Sequence, residues 1–60
     1  MDNIVPLDRY YYHCMVLDEE LYKEEWIIDA CNDAEMITLI EQNGGKYLET
    51  ISKDKITKFI

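Results

Sequence analysis

The chain is 60 residues long, 48% hydrophobic, and carries a formal net charge of −7 at pH 7. That length allows one small domain with a modest core, and the apolar share excludes a disordered acidic chain. The charge argues against direct binding to nucleic acid or to an anionic membrane, since both need a basic footprint.

The charge is unevenly placed. Residues 1–17 sum to −1, residues 18–35 to −7 and residues 36–60 to +1. The N-terminus has neither the basic nor the apolar region of a secretory signal, and no apolar run approaches the roughly 20 residues of a membrane span. A cytoplasmic protein is expected, with Cys14 and Cys31 as reduced structural thiols. A domain this small commonly gains stability from a partner subunit, and a homodimer is the commonest form.

In chain order, residues 1–8 read as an extended N-terminal arm around Pro6. "RYYYHCMVL" (9–17) reads as a strand. Tyr10, Tyr12, Cys14 and Val16 share one face, and Tyr11, His13, Met15 and Leu17 the other. Both faces are partly apolar, which suits a strand lying between a core and a subunit contact. Asp18-Glu19-Glu20 then opens either a helix or a turn leading into the strand "LYKEEWIIDA". As a strand, this segment sets Tyr22, Glu24, Trp26, Ile28 and Ala30 on its more apolar face.

"NDAEMITLIEQNGGKYLETI" (32–51) has two readings, and residues 33–43 are open between helix and strand. As a helix it has Asn32 as N-cap, Glu35 at the capping-box position and Gly44 past its end. As a hairpin it joins "MITLIEQ" to "KYLETI" through Asn43-Gly44-Gly45, and β-branched Ile37, Thr38 and Ile40 favour this second form. "SKDKITKFI" then reads as a polar turn and a short last strand. The expected fold is mainly β, a small antiparallel meander or an SH3-like barrel. The alternative is α+β, with two strands, a helix and a third strand.

No catalytic constellation emerges, and an enzyme is not expected. His13 and Cys14 are adjacent in a strand and point to opposite faces, so they cannot form a nucleophile–base pair. A calcium loop would need glycine where Lys23 stands, zinc would need closely spaced Cys/His pairs, and "NGGK" lacks the surroundings of a phosphate loop. No metal or cofactor is expected. The candidate site is the acidic stretch itself. Asp18, Glu19, Glu20, Glu24, Glu25 and Asp29 are concentrated around Tyr22 and Trp26, residue types that anchor interfaces. Charge runs are often only solvated faces. The functional reading makes this one a steering surface for a partner protein with a basic surface. Tyr10, Tyr12 and Tyr47 are the candidates for self-association.

An aromatic strand running into acids, "YYYHCMVLDEELYKEEW", followed by "NDAEMITLIEQNGGKYLETI", resembles the small acidic inhibitors that phages use against host proteins. More narrowly, it resembles the DNA-mimic inhibitors of uracil-DNA glycosylase. The resemblance is one of size, charge and element order over most of the chain, and no motif transfers residue roles. It implies a non-enzymatic inhibitor in the host cytoplasm that occupies a basic site on a nucleic-acid-handling or defence protein. The tail "ITLIEQNGGKYLETISKDKITKFI" also looks like the end of SH3-like and Sm-like barrels. That likeness implies an interaction or assembly module in which the acids confer only solubility.

Overall fold

The computed structural model describes residues 6–59, with side chains for residues 9–56. The elements are β1 (Pro6–Leu17), β2 (Lys23–Ala30), α1 (Asp33–Gln42) and β3 (Lys46–Phe59). One antiparallel sheet has the order β2-β1-β3, so β1 is central and pairs with β3 along its whole length. The fold is therefore mainly β, a small antiparallel three-stranded sheet, with the element order strand, strand, helix, strand. Among the described residues the sheet is open at two edges and does not close into a barrel.

Alternation along β1 builds the core. Tyr12, Cys14 and Val16 are fully buried with Ala30 of β2 and Met36 and Ile40 of α1, while Tyr10, Trp26, Ile28, Ile37, Leu39 and Tyr47 pack around them. The Cys14 thiol donates to Met36 Sδ at 3.6 Å, and burial pushes its pKa up. Cys14 is thus a core thiol as expected, whereas Cys31 is exposed.

Three expectations are corrected. "MITLIEQ" is helical rather than a hairpin strand, because both of its ends are capped and one face is apolar. Asn32 Oδ1 accepts the Glu35 amide at 2.8 Å. At the other end Gly45 N–H donates to Ile40 O at 2.9 Å and Gly44 N–H to Glu41 O at 3.1 Å, a Schellman closure with Gly44 at φ +82°. Asn43-Gly44-Gly45 is thus a helix stop. Met36 and Ile40, four residues apart, fall on the same helix face and close over β1. Secondly, "SKDK" is not a turn: β3 runs through it, pairing Ser52, Lys53, Asp54 and Lys55 with His13, Tyr12, Tyr11 and Tyr10. Irregularities beside Leu48 and Ile51 let β3 follow the twist of β1. Thirdly, the expected arm at 1–8 is in part strand: Pro6–Asp8 belong to β1, and residues 1–5 lie outside the described residues.

Two polar clamps fix the helix start to the sheet. Arg9 Nε donates to Asp29 Oδ1 at 2.7 Å, and its Nη2 donates to Asp29 O and to Glu35 Oε1. Tyr12 OH donates to Asp33 Oδ1 at 2.8 Å, while Lys53 Nζ lies 3.5 Å from the same oxygen and 4.4 Å from the Tyr10 ring centroid. The Tyr12 hydroxyl, and then the Lys53 charge, hold Asp33 below its ordinary pKa of 3.8. The Cys31 amide, aided by Arg9, holds Glu35 below its ordinary 4.5. A carboxylate depressed in the fold stabilises it above the unfolded pKa, and that contribution is lost as pH falls through the folded value. Thermal midpoints measured from pH 7 to pH 2.5 should therefore fall below about pH 4.5. Asp33→Asn and Glu35→Gln should each lower the midpoint at pH 7 and flatten this acid limb.

Candidate functional site

Sheet register sorts the acidic stretch into two groups. Several of its carboxylates serve the fold. Asp18 Oδ1 accepts the amides of Glu20 and Tyr22 at 2.8 and 2.9 Å, and Asp18 N–H donates to Tyr22 O. Asp18 therefore organises the β1–β2 turn. Glu25 lies on the sheet face opposite α1, with Oε1 2.7 Å from His13 Nε2. Asp29 is held by Arg9. These pairs link residues 12 to 20 positions apart, so no local reading of the sequence would have found them.

Trp26 is also committed. It faces α1, half-buried against the core, and its Nε1 donates to Glu24 Oε1 at 3.1 Å. Its Cη2 comes so near the Gly45 backbone that a Cβ there would lie 2.8 Å from it.

What projects is the hairpin tip. Leu21 is 75% exposed and Tyr22 68% exposed, with the exposed carboxylates Glu19, Glu20 and Glu24 around them. Leu21 sits at φ +69°, a left-handed conformation that a leucine seldom adopts. Its N–H donates to Asp18 O at 3.0 Å, so the turn is closed from both sides. The side chain of Glu19 lies over Gly44, bringing the tip alongside the C-terminal end of α1. Leu21 was missed in the sequence. The available signal was an apolar residue within a run of turn-forming acids, with no periodic partner to bury it.

The three tyrosines expected at a self-contact all lie on the helix side of the sheet. Tyr12 is 1% exposed and forms part of the core, so its side chain does not reach a second copy in this fold. Tyr10 packs edge-on to Tyr12 with ring centroids 6.0 Å apart. Tyr47 packs against the core and shares a 2.9 Å hydrogen bond with Thr50. The uncovered face of the sheet carries Tyr11, His13, Met15 and Leu17 instead.

Among the described residues, no group of three or more His, Cys, Asp or Glu side chains converges on a point, and no pocket is present. No described helix is long and apolar enough to cross a membrane. In comparisons with known proteins, the chain matches no protein-family model, no curated protein and no solved structure.

Proposed function

We propose that the chain is a non-enzymatic, protein-binding inhibitor of the small acidic phage kind. On this reading it occupies a basic site on a host nucleic-acid-handling or defence protein, in the cytoplasm of the infected cell. The observation that carries the reading is the hairpin tip. Leu21 and Tyr22 are large apolar side chains held outward on a turn that Asp18 closes, and a rim of carboxylates surrounds them. A fixed turn gives up little conformational freedom on binding, which favours affinity. Exposed apolar residues within a charged rim match the anatomy of a recognition surface. The carboxylates would stand in for backbone phosphates and speed encounter, while Leu21 and Tyr22 would supply the desolvated contact.

On this reading the partner contact falls to Glu19, Glu20, Leu21, Tyr22 and Glu24, which project from the tip, with Asp18 positioning them. Glu25, Trp26 and Asp29, which are engaged within the sheet, would support the fold behind the tip.

The test is capture from bacterial lysate by tagged protein, washed at low and high salt, with the Glu19→Lys/Glu20→Lys variant run in parallel. The expected result is a basic protein held by the wild type, weakened by salt and lost from the variant. With the purified partner, the variant should slow association by at least about tenfold at low salt and change dissociation much less. A partner indifferent to both salt and charge reversal would overturn the reading.

A second reading, an interaction module stabilised by its own oligomer, has one observation in its favour. The sheet face away from α1 leaves Tyr11 46% and Ile27 65% exposed.

A further inference from the structure

That uncovered face has a charge pattern that fits a second copy of itself in one orientation only. Pairing across the sheet sets its side chains in rows centred on β1. Tyr11 stands between Asp29 and Asp54, His13 between Ile27 and Ser52, Met15 between Glu25 and Glu49, and Leu17 between Lys23 and Lys46. The middle column is aromatic and apolar apart from His13. The flanking columns carry a pair of acids in the first row, a second pair in the third and a pair of lysines in the fourth. Asp29 is already ion-paired to Arg9 and Glu25 is in contact with His13 of the same copy, so Asp54, Glu49, Lys23 and Lys46 carry most of the pattern. An apolar stripe with charged margins is how an interface core and its rim are arranged.

We infer that the protein forms a two-fold dimer by stacking this face on its own copy with the two β1 strands antiparallel. Two ways of facing the sheets keep the strands aligned, and charge separates them. With the β1 strands parallel and β2 of one copy over β3 of the other, Asp29 meets Asp54, Glu25 meets Glu49 and Lys23 meets Lys46. Every charged pair is then of like sign. With the strands antiparallel about an axis between His13 and Met15, the first row meets the fourth and the second meets the third. Lys46 then faces the second copy's Asp54, the pair that carries the discrimination, and Lys23 faces its Asp29, which Arg9 of that copy also holds. Tyr11 meets Leu17 and His13 meets Met15 along the centre. Aligned packing of two sheets about 10 Å apart accommodates such side chains. Four rows about 6.8 Å apart on three strands about 4.8 Å apart give a footprint on the order of 400 Å² per copy. That is about 800 Å² in total, the size of a weak, transient contact, so dissociation on the order of 100 μM is expected. The dimer does not rest on the inhibitor reading, because the tip residues Leu21 and Tyr22 lie beyond the last row.

Sedimentation equilibrium from about 1 μM to about 1 mM tests it, with Lys46→Asp and Asp54→Lys as variants. Each reversal places like charges together at two symmetry-related points, so each should raise the dimer dissociation constant by about tenfold or more. An equal mixture of the two variants should recover wild-type association, because the mixed dimer restores opposite charges at both points. Neither substitution touches the core, and circular dichroism checks that the variants are folded. A wild type that stays monomeric up to 1 mM overturns the inference. A dimer insensitive to both reversals, or a mixture no tighter than its components, does so equally.

Discussion

Replacing Gly45 by alanine is expected to lower the thermal midpoint by about 10–20 °C, the result of an overpacking penalty of about 2–3 kcal/mol in so small a domain. Gly45 is the last residue before β3, directly under the core. A Cβ built there lies 2.6 Å from Val16 Cγ1, 2.8 Å from Trp26 Cη2 and 3.0 Å from Ile40 Cγ2. Those atoms come from β1, β2 and α1, so no single movement relieves all three contacts. A domain of this size has only about 3–9 kcal/mol of stability in total, which makes the loss a large share. Gly44 gives the contrast. The three atoms nearest to its Cβ would all belong to the Glu19 side chain, at 3.1–3.3 Å, and that side chain is long and exposed. The penalty for Gly44→Ala comes instead from holding alanine at φ +82°, about 1–2 kcal/mol. Thermal unfolding followed by circular dichroism should rank Gly45→Ala below Gly44→Ala. Combining Gly45→Ala with Val16→Ala should cost less than the two effects added, because removing Cγ1 opens the tightest contact. Strict additivity, or the reverse ranking, would show that the β3 start can shift away from the core.

The same glycine pair shows what the sequence carried and what it withheld. Period-two alternation placed Tyr10, Tyr12, Cys14 and Val16 on one face of β1, and Trp26, Ile28 and Ala30 on one face of the following strand. The structure covers both sets with α1. The choice for residues 33–43 was not local. Asn43-Gly44-Gly45 suits a hairpin turn and a helix stop alike, and Ile37, Thr38 and Ile40 lower helix propensity. What decides is that the apolar face of β1 needs a lid, and a capped helix with Met36 and Ile40 on one side supplies it. Tertiary packing overrides propensity here. The polar length of β3 was hidden for a different reason. Lys53 and Lys55 face the Tyr12 and Tyr10 side of β1, and Lys53 lies over both rings, so a strand there shows no hydrophobic alternation. As for the site, the concentration of acids was plain. Which of them are held by Arg9 and His13 depends on sheet register, and so could not be read from composition.

Register also changes what Trp26 is expected to do. Trp26→Ala should lower stability by about 2–3 kcal/mol, since it removes a large half-buried side chain from the edge of the core and leaves space beside Gly45. Any loss of partner binding in that variant would then follow from partial unfolding. The Leu21→Ser/Tyr22→Ser variant reverses this pattern. Both side chains are exposed and make no core contact, so stability should change by no more than about 0.5 kcal/mol. Binding to the captured partner should weaken by at least about 30-fold, equivalent to about 2 kcal/mol. Denaturant unfolding and surface-plasmon titration on the same preparations separate the two effects. If the tip variant binds normally while Trp26→Ala loses binding without losing stability, the contact lies along the β2 face and not at the tip. The opposite result fixes the tip as the recognition element and leaves Trp26 as part of the platform that holds it in place.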